Sequence, residues 1–302
     1  MKRLLSCTAS DFDKMDGKQL KQAIAASEGR VVLSEVIPTT APLFGEVSNA
    51  ELTVAFGADL VLLNHIDLFH PRILGWESEH EFHRLQEFKH MLGRPLGVNL
   101  EPVDDHADAV EDLAQVEKGR LATDDTFHAV KQAGLDFVCL TGNPQSGVTN
   151  EKIGEAIKTG KRILGDDCLI IAGKMHGSGI AGEGDAGILT KNVIDGFAIA
   201  GADIILFPSP GTVPGVDANL AGSWVKRIKE NGCLAMSAIG TSQEGADEQT
   251  IRQIALYNKM IGADIHHIGD GGYTGVAAPE NIIAYSIAIR GRRHTYIRMA
   301  RR

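Results

Sequence analysis

The feature that most constrains this chain is an alternation. Eight short runs rich in β-branched and other apolar residues are each followed by a longer segment with helical periodicity. The runs are Val31–Ile37, Leu60–Ile66, Leu96–Pro102, Phe137–Asn143, Leu169–His176, Ile204–Ser209, Leu234–Gly240 and Ile265–Asp270. Eight βα units in 302 residues fit a (β/α)8 barrel, an α/β fold of eight parallel strands. A doubly wound open sheet fits less well, because no G-x-G-x-x-G follows the first run. The expected layout is one barrel domain over 1–302. It carries an N-terminal helical extension (1–29), an insertion after the third strand (103–122) and a basic C-terminal tail (290–302). The extension is placed to cover the bottom of the barrel. The insertion reads as a solvated acidic segment or an active-site lid.

Punctuation supports this division. Ser48-Asn49-Ala50-Glu51 and Ser78-Glu79-His80-Glu81 have the capping-box pattern. A short repeat opens four strands: Gly57-Ala58-Asp59, Gly134-Leu135-Asp136, Gly201-Ala202-Asp203 and Gly262-Ala263-Asp264. Its glycine ends a helix, and its small or apolar residue leads into a strand, as a repeated βα unit requires.

Composition excludes several classes. The net charge of −9 argues against nucleic acid as a partner. No apolar run approaches the length of a membrane span, and Met1–Cys7 lacks the core of a signal peptide. The four cysteines are scattered and mostly within or beside apolar runs, which reads as reduced thiols in a cytoplasmic protein. After Glu280 there is no acid and there are six arginines, so residues 281–302 contribute +6. This segment is expected to pack against acidic surface on this or a neighbouring subunit, with a subunit interface of a homo-oligomer the favoured case.

In a barrel, functional groups come from the C-terminal ends of the strands. Every predicted end carries a polar residue. Glu35, Lys174 and His176 are the candidate catalytic residues. A lysine leaving an apolar strand can be a nucleophile, a base or a charge clamp, or it can be an ion-pair partner of Glu35 or Glu101. Asn64, His65, Asn99, Glu101, Asn143, Ser209, Gly240, Thr241, Gly269, Asp270, Gly271 and Gly272 are candidate substrate-binding residues. Glu35, Asn64, Asn99, Glu101 and Asp270 offer oxygens to a divalent cation such as Mg2+. A zinc set of His65, His176 and His266 or His267 is less favoured, and His80, His83 and His90 are expected on a polar helix face. The glycine loops after the seventh and eighth strands suggest backbone N–H groups cradling the anion of a phosphorylated or carboxylated substrate.

The pattern resembles phosphate-binding (β/α)8 barrels. More narrowly, Leu96-Gly97-Val98-Asn99, Leu135-Asp136-Phe137-Val138 and Gly147-Val148-Thr149 resemble the BtpA family. The strand-end residues Asn64, His65, Asp67 and Glu101 are similar in placement to the magnesium-holding acids of the phosphoenolpyruvate mutase and isocitrate lyase family. Those resemblances imply a lyase, aldolase, isomerase or epimerase acting on a small sugar phosphate or carboxylated metabolite. The alternative is a non-catalytic barrel that binds a metabolite or an assembly partner.

Overall fold

The structure is a computed structural model and describes residues 2–78 and 83–301. Glu79, His80 and Glu81 of the second capping-box pattern lie outside the described residues. Eight parallel strands close in sequence order into a barrel, β1 (Val31–Val36), β2 (Leu60–Leu63), β3 (Leu96–Leu100), β4 (Phe137–Leu140), β5 (Leu169–Gly173), β6 (Ile204–Pro208), β7 (Leu234–Ile239) and β8 (Ile265–Ile268). Each begins at the residue where its apolar run begins and ends one to three residues before the run does. Asn64, His65, Thr141, Asn143, Lys174 and Asp270 therefore lie in loops, whereas Glu35, Asn99 and His267 remain within the ladder.

The helices precede and separate the strands. They are α1 (Ala9–Phe12), α2 (Gly17–Ala25), α3 (Asn49–Ala55), α4 (Arg84–Leu92), α5 (Asp124–Gln132), α6 (Asn150–Leu164), α7 (Lys191–Ala200), α8 (Ala218–Glu230), α9 (Glu248–Met260) and α10 (Pro279–Ala300). The Ser48 capping box is formed, with Ser48 accepting from the Glu51 N–H and Glu51 accepting from the Ser48 N–H. Asp217 and Asp247 cap α8 and α9 in the simpler way.

Alternation along the strands sorts side chains into two cores. One face of each strand meets the helices: Val32, Val61, Val98, Val138, Ile170, Ile205, Ala235 and Ile268. The other fills the barrel: Leu33, Leu62, Phe137, Ile171, Leu206, Met236 and Ile265. Gly97 belongs to the inner face, where a Cβ would sit 2.2 Å from the Phe137 ring. The aromatic ring thus occupies the space a β3 side chain would need.

Leu4, Cys7, Phe12, Leu20, Ala23 and Ile24 complete the inner core from below. The N-terminal extension therefore closes the bottom, as two helices and a 3-10 turn rather than one helix. The four cysteines are buried and free. Among the described residues no helix is long and apolar enough to cross a membrane.

The fourfold Gly-x-Asp repeat has a common structural role. Its glycines all take positive φ after a helix, where only glycine is unstrained. Its aspartates precede β2, β4, β6 and β8, and each reaches back to the strand before. Asp59 accepts from the Val32 N–H (2.8 Å), Asp136 from Leu96 (2.9 Å), Asp203 from Ile170 (3.2 Å) and Asp264 from Ala235 (2.9 Å). Each also pairs with a cation: Asp136 with Lys89, Asp203 with Lys21 and Asp264 with Lys229. Asp59 takes two, Arg290 and Arg298, all three being buried. The basic C-terminus thus packs within its own chain. The helix breaks at Gly291 (φ 74°, ψ 163°), and Arg298 then reaches the Leu4 carbonyl (2.7 Å).

Candidate active site

A cavity of about 970 Å³ opens at the C-terminal end of the barrel. It is lined by Glu35, Asn64, His65, Asn99, Asn143, His176, Gly240, Thr241, Gly269, Asp270, Gly271 and Gly272. Twelve of the fifteen residues expected at the site therefore meet at one place. Glu101, Lys174 and Ser209 do not line it.

Glu35 is the centre of the floor. It stands on the inner face of β1 two residues beyond Leu33 and is 3% exposed. Asn99, on β3, donates to one carboxylate oxygen at 2.5 Å. His267, on β8, lies 2.8 Å from the other through Nε2. Both neighbours are buried. The carboxylate is thus held from two sides, and its orientation is set by the barrel wall. In the sequence His267 stands out only as a member of a zinc set. Its signal was its register, two residues after the inward-facing Ile265.

Asp270 forms a second acidic centre. Its carboxylate accepts from Asn64 Nδ2 (2.8 Å) and from the Gly272 N–H (2.8 Å). Asn64 also exchanges hydrogen bonds with Asn143 (2.9 and 3.1 Å), which ties the ends of β2, β4 and β8 together. Burial, with Glu35 nearby, raises Asp270 to about 6. Glu244, in the loop after β7, is 5% exposed and is also raised by burial. It tucks beneath Gly269, where a Cβ would be 3.4 Å from its carboxyl carbon. It lies four residues after Gly240, outside the strand-end pattern that marks the other site residues.

Two histidines complete the polar wall. Burial, then Lys174, lowers His176; burial, then Arg120, lowers His65. The Ser178 N–H donates to His176 Nδ1 at 3.1 Å. A neutral His176 accepting there carries its proton on Nε2.

Two of the three displaced candidates, Lys174 and Ser209, follow from strand alternation, whereas Glu101 continues the inner series Gly97, Asn99 and is held by Arg120. Lys174 continues the outer series Ile170, Ala172, so its stem leaves the barrel. Its ammonium contacts the Val148 carbonyl (3.1 Å) and forms an ion pair with Glu183, not with Glu35 or Glu101. Glu183 in turn accepts from the Asn150 N–H at the start of α6 (3.0 Å). Ser209 continues the outer series Ile205, Phe207. It joins Ser237 (2.9 Å), Asn258 (2.9 Å) and, through Asn258, Tyr285 in a buried network behind the barrel wall. Glu101 is held by Arg120 (2.5 Å) and by the Asn143 N–H (3.3 Å), so it supports the cavity from outside.

The glycine loops also differ from the expected anion cradle. Gly271 and Gly272 do adopt positive φ, 70° and 63°. Yet the Gly272 N–H is taken by Asp270, two residues before it. Among the described lining residues there is no lysine or arginine. No group of three or more His, Cys, Asp or Glu side chains converges on a metal position among the described residues. Of the residues suggested for Mg2+, Glu35, Asn64, Asn99 and Asp270 line the cavity and Glu101 does not.

The insertion at 103–122 forms part of the roof. Val110 and Glu111 line the cavity. The Val110 N–H donates to the Gly179 carbonyl and the Ala181 N–H to the Asp108 carbonyl, both at 2.9 Å. The insertion and the 177–187 loop therefore cover the mouth together.

Comparison with known proteins places this geometry. The fold is similar to thiamine phosphate pyrophosphorylase from Pyrococcus furiosus (TM-score 0.50, 11% identity, 87% of this chain and 97% of that one). It is equally similar to 2,3-dimethylmalate lyase, a PEP mutase/isocitrate lyase superfamily member (TM-score 0.50, 12% identity, 87% and 81%). Pyruvate carboxylase from Rhizobium etli matches with TM-score 0.51 and 14% identity over 96% of this chain and 30% of that one. One segment of 87 residues is 40% identical to a putative N-acetylmannosamine-6-phosphate 2-epimerase of Haemophilus influenzae. That segment spans 29% of this chain and 32% of the epimerase. The BtpA family is not among these similarities. Residues 5–302 match the family described as a domain of unknown function, DUF7916, and since that span is nearly the whole chain, the protein belongs to it.

Proposed function

We propose that this barrel is an enzyme of small-metabolite metabolism that transfers a proton at carbon, of the isomerase, epimerase or lyase type. The observation that carries the reading is the Glu35 carboxylate, buried on the cavity floor and fixed between Asn99 and His267. A base must be held within hydrogen-bond reach of the proton it removes, and a carboxylate gripped at both oxygens keeps its aim.

Asp270 supplies the complementary group. With a pKa of about 6, it exchanges a proton near neutrality more readily than an ordinary carboxyl. The His176 Nε2–H is a neutral donor for a carbonyl or hydroxyl oxygen that gains charge during the reaction. Lys174, outside the cavity, has no catalytic part in this scheme; through Glu183 it anchors the loop that roofs the site. The relatives' names, a lyase and a putative epimerase, belong to the same reaction classes.

The test is solvent exchange. Candidate sugars and keto acids are incubated with the protein in D2O, and deuterium at carbon is followed by NMR. Glu35→Gln should slow exchange by about 10²–10⁴-fold, the usual contribution of a positioned base. Exchange at an undiminished rate in Glu35→Gln would end this assignment. Binding without exchange by the wild-type protein would favour the non-catalytic barrel.

A further inference from the structure

The charge balance of the cavity defines what it can hold. Glu35, Glu111, Glu244 and Asp270 line it, and no lysine or arginine does among the described residues. Of the N–H groups in the glycine loops, that of Gly272 is already taken by Asp270. His176 and His65 are held toward their neutral forms.

The unpaired atoms point the same way. Asn99 is 3% exposed, lines the cavity, and has an Oδ1 with no hydrogen-bond partner among the described residues. The same holds for Glu244 Oε2 and for Thr141 Oγ1. Amide and carboxylate oxygens accept hydrogen bonds. Buried acceptors without partners are expensive, and a ligand that brings donors relieves them. Hydroxyl groups and an ammonium are such donors; a phosphate dianion is not, and it would add charge of the sign already in excess.

We propose that this cavity selects a small polyhydroxylated ligand bearing an ammonium group and rejects the phosphate ester of the same skeleton. The ammonium sits between Asp270 and Glu244, and the hydroxyls face Asn99 and Thr141. This rests on the reading of the cavity as the working site, but not on proton transfer occurring there.

Matched triplets provide the test: glycerol, serinol and glycerol phosphate; glucose, glucosamine and glucose 6-phosphate. Binding is followed by ligand-observed NMR, with and without Mg2+. The amino member of at least one triplet should bind roughly tenfold more tightly than its phosphate member, about 1.4 kcal/mol. Asp270→Asn should bring the amino and neutral members to within about twofold of each other. Tighter binding of a phosphate member, in either condition, overturns the proposal. So does a panel in which no triplet discriminates. The two readings separate in the wild-type protein: deuterium exchange in D2O reads proton transfer, and the order of affinities within a triplet reads ligand class. Loss of exchange therefore bears on proton transfer, and loss of preference bears on ligand class.

Discussion

Asp59→Asn should destabilise the fold far more than Asp264→Asn, although the two residues occupy the same position of one repeat. Asparagine can still accept the strand N–H in both, so the comparison isolates charge. At Asp59 the side chains of Arg290 and Arg298 are 0% and 1% exposed. Neutralising their shared partner strands two buried guanidiniums, and breaking a buried pair costs about 3–5 kcal/mol. At Asp264 the partner is Lys229, 3.1 Å away and 46% exposed, which can turn to water. An exposed pair is worth about 1 kcal/mol or less. Unfolding entropy of about 2.1 cal/mol/K per residue gives roughly 0.6 kcal/mol/K for 302 residues. The Tm should then fall by about 5–8 K for Asp59→Asn and about 1–2 K for Asp264→Asn. Calorimetry or thermal melts by circular dichroism read this directly. Equal shifts, or a larger one at Asp264, would refute the assignment of Asp59 as the shared anchor of the C-terminal arginines.

Other outcomes follow from the mouth. Asp270 has a folded pKa raised to about 6 from 3.8, so its protonated form is favoured by folding. Its contribution is complete below about pH 4 and is lost as pH rises through 6. Asp270→Asn should therefore gain stability relative to wild type across that window, with a constant difference above it; urea midpoints from pH 4 to 8 would show this, and a difference independent of pH would contradict it. Glu183→Ala releases both the Lys174 ammonium and the Asn150 N–H. Limited proteolysis should then cut within 177–187 several-fold faster than in wild type; unchanged cleavage would remove Glu183 as the anchor of that loop.

Much of this was legible because barrel strands announce themselves. All eight starts coincide with the onset of an apolar run, and the ends overshoot because Asn64, Thr141 and Lys174 continue the run's alternation without joining a ladder. The same alternation, followed strictly, would have turned Lys174 and Ser209 outward, since each sits two residues after an outward-facing apolar side chain. It would also have turned His267 inward. At a strand end the alternation of side chains, not the chemistry of a lysine, decides where the ammonium goes. Glu244, Glu183 and Arg120 come from loops, where no periodicity assigns direction. The reach of Arg290 and Arg298 back to Asp59 spans more than 230 residues and carries no local signal.

The two ends of the barrel handle the same residue type in opposite ways. At the bottom, four aspartates each receive a strand N–H and at least one lysine or arginine, and the charges are matched where they are buried. At the mouth, Glu35, Glu244 and Asp270 are buried or nearly so, and none has a lysine or arginine partner among the described residues. A fold that has the means to neutralise buried carboxylates at one end, and leaves them uncompensated at the other, retains an unfavourable arrangement that stability alone does not explain. The imbalance is confined to the cavity walls and coincides with the orphaned oxygens of Asn99, Thr141 and Glu244. A bound group that donates hydrogen bonds and carries positive charge removes both penalties at once. On the proposal made above, the charge the barrel leaves open at its mouth marks the place and the sign of its ligand.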